Sequence, residues 1–183
     1  MYTLKLIKKA AIACLFFCGL TANAQDAIEN YDQGFRLGFG VNAGYVLDDP
    51  YDFALGGDIR LQYDLTQRYS LTLTTGFTNL FAGDEWKDLG FIPVKAGFKA
   101  FIWEDSFYLL GEAGAAFAVT NRDEYKGTND TSFLLSPGIG YATKYIDLSL
   151  RYEHYTDFPI ANNGALGEGT GQIALRLAYG FKL

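Results

Sequence analysis

Three side chains in the last part of the chain could together do chemistry. His154 is the only histidine, Thr156 follows two residues later, and Glu168 lies fourteen residues after His154. An imidazole base, a hydroxyl nucleophile and a carboxylate that orients the base are the parts of an acyl-transfer site. The alternative places His154 at a membrane interface and Thr156 at the start of a loop, and it is favoured because three such groups often share one hairpin by chance.

These residues belong to a chain with a two-residue periodicity. Eight segments alternate apolar with small or polar side chains, which predicts strands and not helices. In this pattern His154 and Thr156 lie on the same face of the seventh strand as its apolar residues. Pro137 in the sixth segment cannot donate to a ladder and predicts a bulge or a kink. The expected strands cover residues 34–46, 54–65, 69–80, 90–102, 107–119, 133–142, 145–156 and 171 onward.

The connections between these strands alternate in length. Short links near 66–68, 104–106 and 144 alternate with longer ones near 47–53, 82–89, 120–132 and 158–170. This asymmetry is typical of a transmembrane barrel, and an even strand number puts both ends of the chain on the short-turn side. A soluble barrel with its apolar face inside has the same periodicity. Small residues on the polar faces and aromatic residues near strand ends favour the membrane form. The predicted fold is therefore all-β, an eight-stranded antiparallel up-and-down transmembrane barrel.

The N-terminus has the features of a secretory signal peptide. Three lysines precede an apolar run over residues 10–20, and Ala22-Asn23-Ala24 forms a small-x-small cleavage site. The apolar run is shorter than the about 20 residues that a spanning helix needs. A lipoprotein modified at Cys18 is disfavoured because a large residue precedes that cysteine. We expect a signal peptide over residues 1–24 and one barrel domain over residues 25–183.

The composition excludes several classes of function. Both cysteines lie within residues 1–24, so the mature chain has no disulfide and no thiol ligand. The full chain carries a net charge of −6 and becomes more acidic once three lysines are removed, which argues against a nucleic-acid partner. The sequence has no Gly-rich phosphate loop and no Cys/His cluster with metal spacing. We expect no cofactor and no metal site, and the residues point to no particular extracellular partner.

Charged side chains of the strands share the face that would point into a membrane barrel. An eight-stranded barrel is only just wide enough for its side chains to fill it. Because an unpaired buried charge costs several kcal/mol, we expect a paired network that plugs the lumen, with a narrow porin-like ion channel as the alternative. The residues of this predicted network are Arg36, Asp58, Arg60, Asp64, Lys95, Lys99, Glu112, Asp147, Arg151, Glu153 and Arg176.

Three segments carry a family resemblance: the junction at residues 22–25, the stretch 92–97 and the ending 175–183. On these the mature chain resembles the small outer-membrane β-barrel family, which includes OmpA-like and OmpX-like barrels and Bacteroidetes porin-family proteins. The resemblance implies a Gram-negative outer-membrane protein of structural, adhesive or unassigned role. It also implies contact with outer-membrane lipid and lipopolysaccharide, and insertion by the barrel-assembly machinery through the terminal strand. The positions that resemble the C-terminal insertion signal are Arg176, Ala178, Tyr179, Phe181 and Leu183.

A second resemblance concerns residues 151–157, which are similar to a segment of the outer-membrane lipid A 3-O-deacylase family. That family has His-x-Ser-Asn on the penultimate strand and an acid on the next strand. The resemblance implies His154 as base, Thr156 as nucleophile and Glu168 as orienter. Asp157 stands where Asn is expected, and its carboxylate would oppose the negative charge that develops in acyl transfer. We therefore expect no catalysis, and a function that lies in the long loops.

Overall fold

A computed structural model of the chain describes residues 33–83, 87–103, 106–120, 130–158 and 169–183. The predicted signal peptide and Glu168 lie outside the described residues. Each strand pairs antiparallel with its neighbour in sequence and the last pairs with the first, so the sheet closes into an up-and-down barrel as predicted. The strands are β1 (Gly34–Val46), β2 (Tyr51–Asp64), β3 (Tyr69–Ala82), β4 (Leu89–Trp103), β5 (Phe107–Ala118), β6 (Thr131–Ala142), β7 (Ile146–Tyr155) and β8 (Thr170–Lys182).

Among the described residues, no helix has the length and apolar character needed to cross a membrane.

The strand ends differ from the predicted ones by a few residues. β2 begins at Tyr51 because its pairing with β3 continues through an irregularity between Tyr51 and Phe53. The first connection is therefore only residues 47–50. The other three connections at that end, 83–88, 119–130 and 156–169, exceed the turns at the opposite end, 65–68, 104–106 and 143–145. We call these the long-loop end and the short-turn end.

The pairing register fixes the stagger of the barrel. Followed through one partner on each strand, the ladder that starts at Gly34 returns to β1 ten residues later, at Gly44. A stagger of this size in eight strands tilts them by about 40° from the axis and leaves an interior that side chains can fill. The partners passed on the way are Asp64, Ser70, Lys99, Leu110, Gly138, Arg151 and Ala174.

Pro137 interrupts the pairing of β6 with β7 without a bulge. Leu135 pairs with His154 and Gly138 pairs with Arg151, so the ladder skips two residues of β6 and resumes in the same register. Proline lacks the N–H that a ladder bond needs, which accounts for the gap. The structure thus has an interruption of the ladder where the sequence predicted a bulge or a kink.

The outer surface of the barrel is apolar. Val41 is 65% exposed and Leu148 is 41% exposed, whereas the charged Lys95 and Glu112 are at most 3% exposed. A soluble barrel has the opposite arrangement, with its apolar side chains inside. The distribution of side chains is therefore that of a transmembrane barrel.

Aromatic pairs surround the short-turn end. Each pair bridges two consecutive strands or their adjoining turn, with ring centroids between 4.8 and 5.8 Å apart. Rings with an apolar body and a polar edge suit the interface between hydrocarbon and water. The arrangement forms the aromatic girdle that membrane barrels carry. The pairs are Phe35 with Tyr63, Tyr69 with Phe98, Phe107 with Tyr141, and Tyr145 with Tyr179.

A charge placed on the outward face is expected to destabilise the barrel in a bilayer. Leu175 is 50% exposed and pairs with Ala43 and Leu150 on the neighbouring strands. Leu175→Arg should lower the free energy of unfolding by about 2 to 4 kcal/mol in lipid vesicles, measured by urea titration. Gln67→Arg, in an exposed turn, should change it by less than about 0.5 kcal/mol. Equal effects of the two variants would contradict the membrane-facing assignment.

Candidate functional site

The centre of the lumen is organised around Glu112 on β5, which is 1% exposed. Its Oε1 lies 3.0 Å from Arg60 Nη2 and accepts a hydrogen bond from Thr74 Oγ1 at 2.8 Å. Its Oε2 lies 3.5 Å from Lys95 Nζ and 3.4 Å from Arg151 Nη1. Three cations from three strands therefore converge on one carboxylate, and the negative charge of Glu112 offsets their mutual repulsion.

Glu153 on β7 extends this network toward the long-loop end. Lys95 Nζ contacts its Oε1 at 2.7 Å, and the Tyr155 hydroxyl and Gln172 Nε2 donate to its Oε2 at 2.8 and 2.7 Å. Gln172 Nε2 also donates to the Tyr155 hydroxyl at 2.9 Å. The hydroxyl of Tyr155 thus belongs to this polar network, whereas its ring lies among apolar residues. Tyr155 therefore connects the polar and the apolar parts of the lumen.

Arg176 on β8 binds Asp58 on β2, and its guanidinium lies beside Gly40 of the intervening strand β1. Its Nε donates to Oδ2 at 2.8 Å and its Nη2 donates to Oδ1 at 2.5 Å, which is the bidentate geometry of strong guanidinium–carboxylate pairs. Asn42 Nδ2 donates to the same carboxylate at 2.8 Å, and the Asn42 amide oxygen accepts from Arg151 Nη2. Asn42 therefore connects this pair to the network of Glu112.

Lys99, Asp147 and Tyr108 form a third group, nearer the short-turn end. Lys99 Nζ lies 2.5 Å from Asp147 Oδ2 and 3.9 Å from the centre of the Tyr108 ring. The Tyr108 hydroxyl donates to Asp147 Oδ1 at 2.6 Å. The ammonium thus has a carboxylate and an aromatic face as partners, and both stabilise a desolvated cation.

Two glycines provide the space that these large side chains occupy. A Cβ at Gly140 would lie 2.2 Å from Cζ of Tyr108, and a Cβ at Gly40 would lie 2.9 Å from the Arg176 guanidinium. A Cβ and an atom to which it is not bonded are essentially never this close, so any side chain at either position would displace its neighbour. Small residues beside large ones allow a narrow barrel interior to be filled.

The structure brings all eleven residues of the predicted lumen network into ion pairs with one another. Arg36 is the most exposed of them, and its Nε lies 2.8 Å from Asp64 Oδ2 near the short-turn end. Arg151 Nη1 also lies 3.6 Å from Glu153 Oε1, and Arg176 Nη1 lies 3.7 Å from Asp147 Oδ1. Sequence reasoning did not include the uncharged polar side chains that complete the network, although their inward parity was visible; among them are Asn42, Thr74, Tyr108, Tyr155 and Gln172.

The lumen contains a cavity of about 10 Å³ beside this network. It is lined by charged residues such as Lys95, Arg151 and Glu153, and also by Ala54 and Thr78. A volume of this size corresponds to about one water molecule. The cavity is therefore a packing gap within the network.

An apolar cluster occupies the lumen at the long-loop end, and sequence reasoning missed it. We call nine of its residues the apolar collar; they come from seven strands and are at most 3% exposed. The tenth member, Phe158, follows β7 and is 2% exposed. Several of these residues have inward parity near strand ends, which was the available signal. The apolar collar consists of Val46, Tyr51, Ala54, Leu80, Leu89, Phe91, Ala116, Leu134 and Tyr155.

The structure describes two of the three residues of the predicted acyl-transfer site. His154 lies on the outward face of β7, half-buried, with its ring stacked on Tyr152 at a centroid distance of 6.3 Å. β7 ends before Thr156, whose hydroxyl donates to Asp157 Oδ2 at 2.5 Å. Glu168 lies outside the described residues, so its relation to His154 stays a prediction.

The residues of the predicted insertion signal fall on both faces of β8. Arg176 and Ala178 are buried in the lumen, at 1% and 5% exposure. Tyr179, Phe181 and Leu183 are exposed on the outward side.

Within the described residues, no three His, Cys, Asp or Glu side chains come together as metal ligands.

Comparison with solved structures identifies the fold. The N-terminal β-barrel domain of Pseudomonas aeruginosa OprF has a TM-score of 0.55 and 14% sequence identity, over 80% of this chain and 97% of that domain. The Yersinia pestis outer-membrane protein Ail has a TM-score of 0.51 and 15% identity, over 81% of this chain and 99% of that protein. No protein-family profile and no curated sequence matches the chain. The chain has the fold of small eight-stranded outer-membrane β-barrels.

Removal of the central carboxylate is expected to destabilise the barrel strongly. Glu112→Gln would leave Arg60, Lys95 and Arg151 buried with one fewer negative charge. Loss of a buried ion-pair partner costs about 3 to 5 kcal/mol, which urea unfolding of the refolded barrel in vesicles would measure. Asp64→Asn provides the matched control, because its partner Arg36 is more exposed to solvent. A smaller loss for Glu112→Gln than for Asp64→Asn would contradict the central role of Glu112.

Proposed function

We propose that this protein is an integral outer-membrane barrel with a closed lumen, and that it acts as a structural or surface-interaction protein through its long-loop end. The observation that carries this proposal is the filled interior, in which paired charges occupy the middle and the apolar collar with Phe158 occupies one end. Eight strands enclose too narrow a space for a water-filled path beside these side chains.

The proposed location is the Gram-negative outer membrane, reached after cleavage of the predicted signal peptide. The apolar exterior, the aromatic girdle and the fold shared with outer-membrane barrels support this location. A closed barrel also satisfies its backbone hydrogen bonds within hydrocarbon, as a membrane requires. The proposed partners at the barrel wall are outer-membrane lipid and lipopolysaccharide.

The terminal strand is proposed to be recognised by the barrel-assembly machinery. Tyr179, Phe181 and Leu183 expose their apolar side chains on one face of β8. This regular row of outward side chains supports the proposal, because an assembly partner could contact it without disturbing the lumen.

Catalysis is not part of the proposed function. The Thr156 hydroxyl donates its proton to Asp157, so it does not present that proton to His154. A general base must lie within hydrogen-bond reach of the proton that it removes. The stacking of His154 on Tyr152 instead supports a role as an aromatic residue at the membrane interface.

The closed lumen predicts that the refolded protein does not conduct ions. Planar lipid bilayers that contain the purified barrel should show no stepwise current, because the Arg176–Asp58 and Glu112 pairs fill the cross-section. A known pore-forming protein in the same bilayer provides the control, and slower gel migration after boiling verifies that the barrel is folded. Uniform current steps from the unboiled, folded protein would favour the narrow-channel alternative.

The absence of catalysis predicts unchanged lipid A. Mass spectra of lipid A from cells that produce the parent protein should equal those from cells that produce His154→Ala or carry an empty vector. The hydrogen bond from the Thr156 hydroxyl to Asp157 and the stacking of His154 on Tyr152 support this expectation. Loss of one acyl chain with the parent alone would instead identify a deacylase and His154 as its base.

A further inference from the structure

The apolar collar encloses a ring that no strand provides. Phe158 is 2% exposed, although it lies in the connection after β7 and not in the barrel wall. Its ring centroid is 5.1 Å from that of Phe91 and 5.1 Å from that of Tyr155, on which it stacks at 14°. Phe91 and Tyr155 contact each other as well, at 5.1 Å. The strands therefore form a socket, and Phe158 fills it from the loop side.

The backbone before Phe158 is fixed to β6. Thr156 N–H donates to the carbonyl oxygen of Phe133 at 3.0 Å. Asp157 N–H donates to the hydroxyl of Ser132 at 3.0 Å, and Ser132 is fully buried. These two bonds hold the turn against the barrel rim, so the direction of Phe158 into the lumen is set by hydrogen bonds outside the socket.

The socket lies directly above the polar network. Ala54 belongs both to the apolar collar and to the lining of the lumen cavity. Thr78, which also lines that cavity, precedes Leu80 of the collar by two residues and pairs with Phe91. The Tyr155 hydroxyl reaches down to Glu153. The Phe158 ring thus adds an apolar layer between the charged lumen and the long-loop end.

From this arrangement we infer that the apolar collar is a binding site for one planar apolar ring, and that Phe158 is its built-in occupant and seals the lumen. The inference rests on the closed lumen of the proposed function. A six-membered carbon ring is the chemical class that the site accepts, because its walls are aliphatic and aromatic. An apolar socket emptied by truncation can take up a benzene-sized molecule.

The test uses the absence of cysteine from residues 25–183, which makes single cysteines clean reporters. Thr78→Cys reports entry from the long-loop end and Ser70→Cys reports entry from the short-turn end. Each reporter cysteine is placed in the parent sequence, in the Phe158→Ala variant and in the Phe133→Ala variant. The Phe133 ring lies at the same end of the barrel, but it faces outward and is 52% exposed. The reaction rate with a small charged methanethiosulfonate is measured on the refolded barrel, with and without benzene.

The expected result is that Phe158→Ala speeds modification of Thr78→Cys by about tenfold or more, since truncation of a packed ring leaves a cavity. Benzene should return the rate toward that of the parent, while Phe133→Ala and the Ser70→Cys reporter should show no change. Unchanged modification at Thr78→Cys would overturn the seal. Faster modification that benzene does not slow would overturn the binding site.

One further variant and the parent protein distinguish a failure of the socket from a failure of the proposed function. Phe158→Leu covers the case in which Phe158→Ala does not refold to a heat-modifiable barrel. Because leucine retains most of the packing, the increase in the modification rate should be smaller than that expected for Phe158→Ala. No increase would overturn the inference. Rapid modification of Thr78→Cys in the parent would mean that the lumen is open. That result contradicts the proposed function itself, whereas a failure confined to the Phe158 variants contradicts only the socket.

Discussion

The small circumference of the closed barrel is the constraint on which the rest of this structure depends. Closure pairs every strand with two neighbours and satisfies the backbone in hydrocarbon. The same closure directs alternate side chains inward, where the space holds little more than those side chains. A charge inside has no water to solvate it, so Glu112 and the three cations around it must solvate one another. The apolar exterior and the ionic interior are thus two consequences of one geometry.

The lumen changes character along the barrel axis. Near the short-turn end, Arg36 and Asp64 form a partly exposed pair, and Lys99 is held between a carboxylate and an aromatic ring. The middle is a dense ionic network, and the long-loop end is apolar. Tyr155 spans the last boundary because its ring packs on Phe91 while its hydroxyl donates to Glu153. This gradation lets the barrel close at the long-loop end with an apolar layer above paired charges.

The residues that suggested chemistry have structural surroundings that explain them. His154 faces outward beside Tyr152, whereas the Thr156 and Asp157 amides hold the chain to β6 and direct Phe158 into the collar. β7 ends at Tyr155, so His154 lies on the strand, whereas Thr156 and Asp157 lie in the connection that follows it. Sequence spacing describes their order along the chain, and the hydrogen bonds determine which groups meet.

The sequence by itself determined the number of strands, the side of each strand that faces outward and the set of charges inside, because alternation is a local property of each strand. Only the tertiary structure decided which charges pair. Arg176 binds Asp58 from 118 residues away and Lys95 binds Glu153 from 58 residues away, in a lumen whose stagger depends on all eight registers together. The apolar collar was hidden for the same reason: its members lie near the ends of seven strands, and Phe158 lies outside any strand. These residues become neighbours only when the sheet closes.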